Sequence, residues 1–406
     1  MKRMALHRIL SGVLAVLVTA PAFSQTAVRG DLVYTMAGAP ISDGVVLVND
    51  GRIERVGPAG EVDIPSDYEV REAAVVTPGL IDPRNVVGLA GMYNQPSDQD
   101  QLDKSEPIQP DLRALDAYNA REDLVAWIRE LGVTTMNTGP APGALVSGQT
   151  MIVKTVGDTV DQAAVRPGAM MAFTVGPSVS RNFDSPGTRS KGIALLRQAF
   201  SDAQAYGRKK DNADEDNKPE VDLGKEALLK VIDGEMPALV TANRAHDITT
   251  ALRLAEEFGL DMILSGGAEA YLVLDEIKAA GVPVILHPTM ARPSGARANA
   301  AFDTAAKLQE AGIPFAIQGS YESYVPKARV VLFEAAIAAA NGLSRSEALA
   351  AVTRSAAGIL GIDDRVGSLE EGKEADLVLF DGDPFEYTSH VCTVIVAGEV
   401  VSDECR

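Results

Sequence analysis

The sequence predicts an α/β protein: a (β/α)8 TIM-like barrel beside a small β-sandwich built from both chain ends. Three observations predict it. Short apolar strands alternate with helical stretches across residues 77–365, which is the pattern of a parallel sheet covered by helices. Residues 27–76 and 366–406 read as β-structure alone, so the simplest assembly pairs the two ends. The 406 residues suit one large domain with a smaller companion, and 46% hydrophobic with 23% charged residues excludes disordered and fibrous classes.

The first element is a leader. Lys2, Arg3, His7 and Arg8 precede an apolar run over 9–20, Pro21 breaks it, and Ala22 and Ser24 put small residues where a signal peptidase reads. Residues 1–24 are therefore expected to be a cleavable signal peptide, cut after Ser24. The run is shorter than the ~20 apolar residues of a membrane span. A periplasmic or secreted chain follows, with no membrane attachment after cleavage.

The β-segments and barrel units come next. Residues 45–48 form a strand, Asn49-Asp50-Gly51 a turn, and 52–56 alternate inward and outward side chains. Helix 124–131 leads to strand 132–136. Strands 237–241, 261–264, 282–286 and 313–317 are then separated by helices 247–258, 270–280 and 300–311. Helices over 330–341 and 344–360 close the region, and Ser344 with Glu347 has capping-box spacing. Residues 207–220 carry Arg208, Lys209 and Lys210 followed by Asp211, Asp214, Glu215 and Asp216, which predicts a mobile charged loop. Near the C-terminus, strand 376–380 precedes a hairpin whose open end brings Cys392 and Cys405 together, a predicted disulfide in an oxidising compartment.

The formal net charge of -19 repels phosphate backbones, and aromatics are only 5%, so nucleic acid is not an expected partner.

Three stretches carry a family resemblance: 47–53 with Val56-Gly57, Val76-Thr77-Pro78-Gly79-Leu80-Ile81-Asp82, and 361–378. In these the chain resembles the amidohydrolase superfamily, in its imidazolonepropionase-like branch. The resemblance implies a metal-dependent hydrolase of C–N bonds in amides, ureas or cyclic ureides. It also implies a His-x-His pair after strand one, histidines on strands five and six, and an aspartate on strand eight.

The sequence departs from that pattern at every ligand position. Arg84 and Val86 stand where the His-x-His pair would be, and neither ligates zinc. Strand five offers Thr241 or Asn243, strand six Ser265, and strand eight Ser320. The four histidines are His7, His246, His287 and His390, and only His287 ends a barrel strand. No cofactor is therefore expected.

What remains is a set of candidates. Catalytic candidates are His287, Arg84 and Glu322, with His287 and either Glu322 or Tyr321 as a metal-free acid–base pair. Ligand-binding candidates are Arg84, Asn85, Thr241, Asn243, Ser265 and Ser320 around the altered site, together with Lys154. Arg84 could fork onto an anion, or act as a fixed cation paired with Asp82 or Glu322. Lys154 would bridge two metals in some family members, but without histidines it is expected to pair with a carboxylate. The polar segment 93–103 is expected to overhang the mouth.

The leading functional reading is a non-catalytic homologue. It would bind a small molecule in the barrel mouth, or serve as a subunit of a homo-oligomer or of a hetero-oligomer with an intact amidohydrolase. The alternative is a C–N hydrolase with a metal-free or unconventional site.

Overall fold

The structure is a computed structural model that describes residues 25–93, 95–290, 292–319, 321–322, 325–327 and 330–406. The expected signal peptide, Ser320 and the side chains of Tyr321 and Glu322 lie outside the described residues. The chain begins with β1 (Thr26–Val33), β2 (Ile41–Asn49), β3 (Arg52–Pro58) and β4 (Glu69–Pro78), and β5 (Leu80–Asn85) opens the barrel. There follow α1 (Asp123–Glu130), β6 (Val133–Thr138), β7 (Val146–Gln149), β8 (Met151–Lys154), α2 (Val160–Ala163), β9 (Ala164–Arg166) and β10 (Met171–Thr174). Next are α3 (Val179–Asn182), α4 (Arg189–Asp211), α5 (Leu223–Ile232), β11 (Ala238–Ala242), α6 (Ala245–Phe258), β12 (Met262–Gly266) and α7 (Leu274–Ala280). β13 (Val284–Leu286), α8 (Thr304–Ala311), β14 (Phe315–Ile317) and the ribbon β15 (Tyr321–Glu322) and β16 (Val325–Pro326) complete the strands of this region. The chain ends with α9 (Val331–Ala340), α10 (Arg345–Ala350), α11 (Arg354–Leu360), β17 (Leu377–Phe380), β18 (Val391–Val396) and β19 (Glu399–Ser402).

The two chain ends meet in one seven-stranded sheet of order β19-β18-β17-β4-β1-β2-β3. β17 pairs antiparallel with β4, which joins the C-terminal segment to the N-terminal one. Alternation sends Val28, Val46, Val48 and Leu377 to one apolar cluster and Ala27, Val45 and Leu47 to another, so both faces of this sheet are covered. Cys392 and Cys405 form a disulfide at the open end of the β18–β19 hairpin.

The barrel strands run in the order β5, β6, β7–β8, β10, β11, β12, β13 and β14. β10 to β14 pair parallel in sequence, as do β5 and β6. Their residues are buried on both sides, which is why these segments read as continuous apolar runs. The third position departs from the expected repeat. β8 is antiparallel to β6, and β7 is antiparallel to β10. Only residues 139–145 connect β6 to β7, and a parallel crossover needs about a dozen residues, so the strand reverses.

Ring closure explains a second difference. One helix is expected over 344–360, but two are found, with Ser344 capping the first by accepting from Glu347 N at 3.2 Å. Between them, the Ala351 and Val352 carbonyls accept from Ile317 N of β14 and Ile81 N of β5 at 3.1 and 2.8 Å. The break thus stitches the last strand to the first at the base of the barrel. The floor of the core unites Ile81, Ile152, Leu239, Ile263 and Ile285 with Ala357 and Leu360 of α11.

The predicted loop over 207–220 is also corrected at its start. Residues up to Asp211 continue α4, and Lys210 Nζ reaches Glu226 Oε1 at 2.6 Å on α5. Arg208, Lys209 and Lys210 fall in the last turn of a helix, where cations complement its dipole, so their charge does not signal a loop.

Candidate functional site

The mouth of the barrel is where the parallel strands end, and each strand supplies a polar residue there after an apolar run. Asp82 lies midway along β5, which is buried throughout. It is fully buried, and its Oδ1 accepts from Arg84 N and Gly319 N, both at 3.1 Å. These contacts tie strand one to strand eight. Oδ2 is buried without a hydrogen-bond partner. Burial pushes the carboxyl up to about 7, against the opposing pull of those backbone N–H groups, of the nearby Asn85 amide and of the Arg84 charge.

The Arg84 side chain turns to the backbone, with Asp82 acting on it only through charge, and the side chain of its other expected partner, Glu322, lies outside the described residues. The Arg84 guanidinium donates to the carbonyls of Asn85 (3.1 Å), Gly139 (3.4 Å) and Pro140, so it closes the loop after β6 over the end of β5. Among the described residues no carboxylate lies in ion-pair contact with it, and Asp82 receives its backbone N–H, not its side chain. The physical reason is local: carbonyls at the ends of two strands need donors where water is excluded, and a buried fork supplies them. Burial lowers its pKa to about 10, opposed by Asp82. Val86 packs in an apolar cluster with Ala90 and Ala141. After strand one, Val86, Val87, Leu89 and Ala90 are all buried, and the polar stretch 93–103 lies mostly at the surface.

The other expected residues divide. Asn85 is buried, with Oδ1 accepting from Val87 N at 3.1 Å and Nδ2 unpartnered. Thr241 is the penultimate residue of β11 and Ser265 lies in β12, where its Oγ accepts from Gln318 Nε2 at 3.4 Å. Asn243 is half-buried, and its Oδ1 has no partner. Lys154 is not at the mouth. Because its strand is reversed, it pairs with Thr135 near the start of β6, at the opposite end of the barrel. There its Nζ contacts Asp376 at 2.6 Å and Glu374 at 2.9 Å, so the expected pairing with a carboxylate is found, but as a clamp between barrel and sheet.

His287 follows β13 and is 1% exposed. Its Nδ1 lies 3.3 Å from the Pro288 carbonyl and so carries the proton, which leaves Nε2 as a buried acceptor without a partner. Burial lowers its pKa to about 4 against the hydrogen bond it donates to the Pro288 carbonyl, with Arg297 adding to the depression. The ring is neutral at ordinary pH. Neither Glu322 nor Tyr321 can be assessed as its partner, since their side chains are outside the described residues. His246 is an exposed residue at the start of α6, and His390 pairs with Asp381 at the surface.

Three residues join the site that sequence reasoning passed over. Asn137 in β6 is fully buried, donates from Nδ2 to the Pro83 carbonyl at 3.1 Å, and keeps Oδ1 unpartnered. Gln318 anchors the end of β14 by donating to the Ile285 carbonyl at 2.8 Å. Glu334 of α9, also buried, accepts from Thr289 N at 2.5 Å and Met290 N at 2.8 Å, and so fixes the turn after His287. The signal for Asn137 and Gln318 was present: each is a polar residue at the carboxyl end of a buried barrel strand. Glu334 carried no such mark.

Comparison with known proteins places this geometry. A solved amidohydrolase structure from Thermotoga maritima is 28% identical, covers 94% of this chain and all of that one, and superposes with a TM-score of 0.88. The sequence pattern of the amidohydrolase family matches residues 329–402. The chain belongs to the amidohydrolase superfamily. Its curated relatives include the imidazolonepropionase of Symbiobacterium thermophilum, 25% identical with 92% of this chain and 96% of that protein covered. The amidohydrolase tasK of Hapsidospora irregularis is also 25% identical, and this chain spans 40% of its length.

Among the described residues, those at the mouth do not fit the metal that this superfamily implies. Among the described residues, one group of three His, Cys, Asp or Glu donors is arranged closely enough for an ion, namely Asp381, Cys392 and Cys405. Its cysteines are joined in the disulfide and its place is the C-terminal sheet. At the amidohydrolase mouth, Arg84 and Val86 are committed to other contacts, and Asp82 and His287 are too few for a three- or four-ligand site.

Proposed function

We propose that this chain is a non-catalytic amidohydrolase-fold protein that binds a small polar molecule at its barrel mouth. The observation that carries the reading is the fate of the first-strand positions: both terminal nitrogens of Arg84 are taken up by three backbone carbonyls, with Nε left buried and unpartnered, and Val86 is packed in apolar surroundings. The same mouth retains Asn137 Oδ1 and His287 Nε2, buried and unpartnered, together with Asp82 Oδ2 and Asn85 Nδ2, which make no well-formed hydrogen bond although the Asn85 amide pulls on the Asp82 carboxyl. Buried polar atoms of that kind are costly unless a ligand or water satisfies them. A molecule with hydrogen-bond donors for the two oxygens and the imidazole nitrogen, and one acceptor for Asn85, would do so.

The alternative, a metal-free C–N hydrolase, is less favoured. With its pKa near 4 the imidazole of His287 cannot deliver a proton at neutral pH, and no side chain among the described residues orients it as a base. We also propose that the chain is exported, on the basic-then-apolar pattern of residues 1–24 and the Cys392–Cys405 disulfide. It is further proposed to act as a subunit beside its own copy or an intact amidohydrolase.

The test is turnover and binding on one preparation of the exported chain. A panel of amides, ureas and cyclic ureides is assayed with and without chelator, and the same compounds are titrated calorimetrically. Binding without turnover is expected. Hydrolysis that resists chelator and disappears in His287→Ala would establish the alternative.

A further inference from the structure

A cavity of about 110 Å³ lies beside the mouth, between the loop after β10 and the first turns of α4 and α6. None of the mouth side chains described above lines it. Its apolar walls include Leu145, Val179 and Ile193, and its polar lining includes Thr188, Arg189 and Asp247.

Asp247 is 1% exposed. Its Oδ1 is engaged, accepting from Arg189 Nε at 2.6 Å with His246 Nε2 at 3.3 Å. Its Oδ2 is buried and has no partner. A Cβ on Gly176 would come within 3.2 Å of that oxygen, and Gly176 holds φ +143°, so the lining backbone leaves the oxygen open to approach. Across from it begins α4, a 23-residue helix whose N-cap Thr188 accepts from Lys191 N. The positive end of a long helix and the Arg189 guanidinium therefore stand near a carboxylate oxygen that lacks a donor.

We propose that this cavity binds a small α-amino acid. Its ammonium donates to Asp247 Oδ2, and its carboxylate lies at the amino end of α4 beside Arg189. The Asp247–Arg189 pair is already neutral, so a zwitterion enters without burying net charge, whereas an isolated cation or anion would. The volume suits a short side chain better than an aromatic one.

The test uses the full exported chain and calorimetric titration with glycine, L-alanine and L-serine. Methylamine and acetate serve as one-ended probes, and L-phenylalanine as a size control. Saturable binding of the small amino acids is expected, weakened about tenfold or more in Asp247→Asn, the loss of one charge-assisted hydrogen bond. Hydrogen exchange on the unmutated chain gives a readout independent of the variant's folding: glycine is expected to slow the amides of Gly176 and of the first turn of α4. No saturable binding by the three small amino acids would overturn the proposal. So would methylamine or acetate binding as tightly as glycine, equal binding of phenylalanine, or exchange unchanged at those amides.

Discussion

Two buried mouth residues are expected to shape the acid stability of the chain in opposite directions. Burial raises Asp82 from 3.8 to about 7 and lowers His287 from 6.5 to about 4. For Asp82 the folded state holds its proton more tightly than the unfolded chain, so its contribution is full below pH 3.8 and is lost as pH rises through 7. For His287 the unfolded chain binds the proton more tightly, so its contribution is full above pH 6.5 and is lost as pH falls through 4. The shifts correspond to about 4 kcal/mol for Asp82 and about 3 kcal/mol for His287 across nearly the same window. They largely cancel in the wild type, and each substitution exposes the other. Asp82→Asn keeps an acceptor for Arg84 N and Gly319 N, and His287→Asn keeps a donor for the Pro288 carbonyl. Urea unfolding of wild type and both variants at pH 4, 5, 6 and 7 reads the differences directly. Relative to wild type, Asp82→Asn should gain stability as pH rises and His287→Asn as pH falls. Differences that are flat with pH, or that slope the same way, would refute the reasoning.

Three further outcomes follow from the same contacts. Lys154→Met removes the cation shared by Asp376 and Glu374 and should cost about 3–5 kcal/mol at neutral pH, the usual penalty for breaking a buried pair. Burial opposes ionisation of Glu374, but Lys154 and Arg365 outweigh it and hold its pKa below the usual range. That stabilisation is present at neutral pH and lost as pH falls through the depressed value, so the penalty in urea melts should shrink in acid. Arg84→Met strips the donor from the carbonyls of Asn85, Gly139 and Pro140 and should cost about 3 kcal/mol by the same assay, because buried acceptors without donors cost about 1–3 kcal/mol each. Paired Cys392→Ser and Cys405→Ser replacement opens a loop of separation 13 and should lower stability by about 2–3 kcal/mol, read as a shift in the thermal melt between oxidised and replaced forms.

Much of the architecture was legible because its causes are local. Runs such as Ala238–Ala242 and Met262–Gly266 are apolar throughout, as doubly covered parallel strands must be, and the 361–378 stretch marks the return to the sheet. Three features were not legible, for distinct reasons. The reversal of β7–β8 depends on a seven-residue connection, and Lys154 moved to the far end of the barrel with it. The break at residues 351–353 arises from hydrogen bonds to β5 and β14, which are distant in sequence. The end of α4 was masked by a charge run that reads as a loop and acts as a helix terminus. At the site, the replacement of the first-strand histidine positions by Arg84 and Val86 was plain from the sequence. The direction of the Arg84 fork was not, because its partners are backbone carbonyls and carry no sequence mark.

The most direct test of the central claim is metal analysis of the purified chain, expressed with zinc supplied. An Arg84→His, Val86→His double variant prepared alongside calibrates uptake by a restored pair. The donor set at the mouth predicts well under one equivalent in the native chain after dialysis, since a zinc site needs three or four ligands. One or two retained equivalents, lost on Asp82→Asn or His287→Ala, would contradict the account and return the chain to metal-dependent hydrolysis.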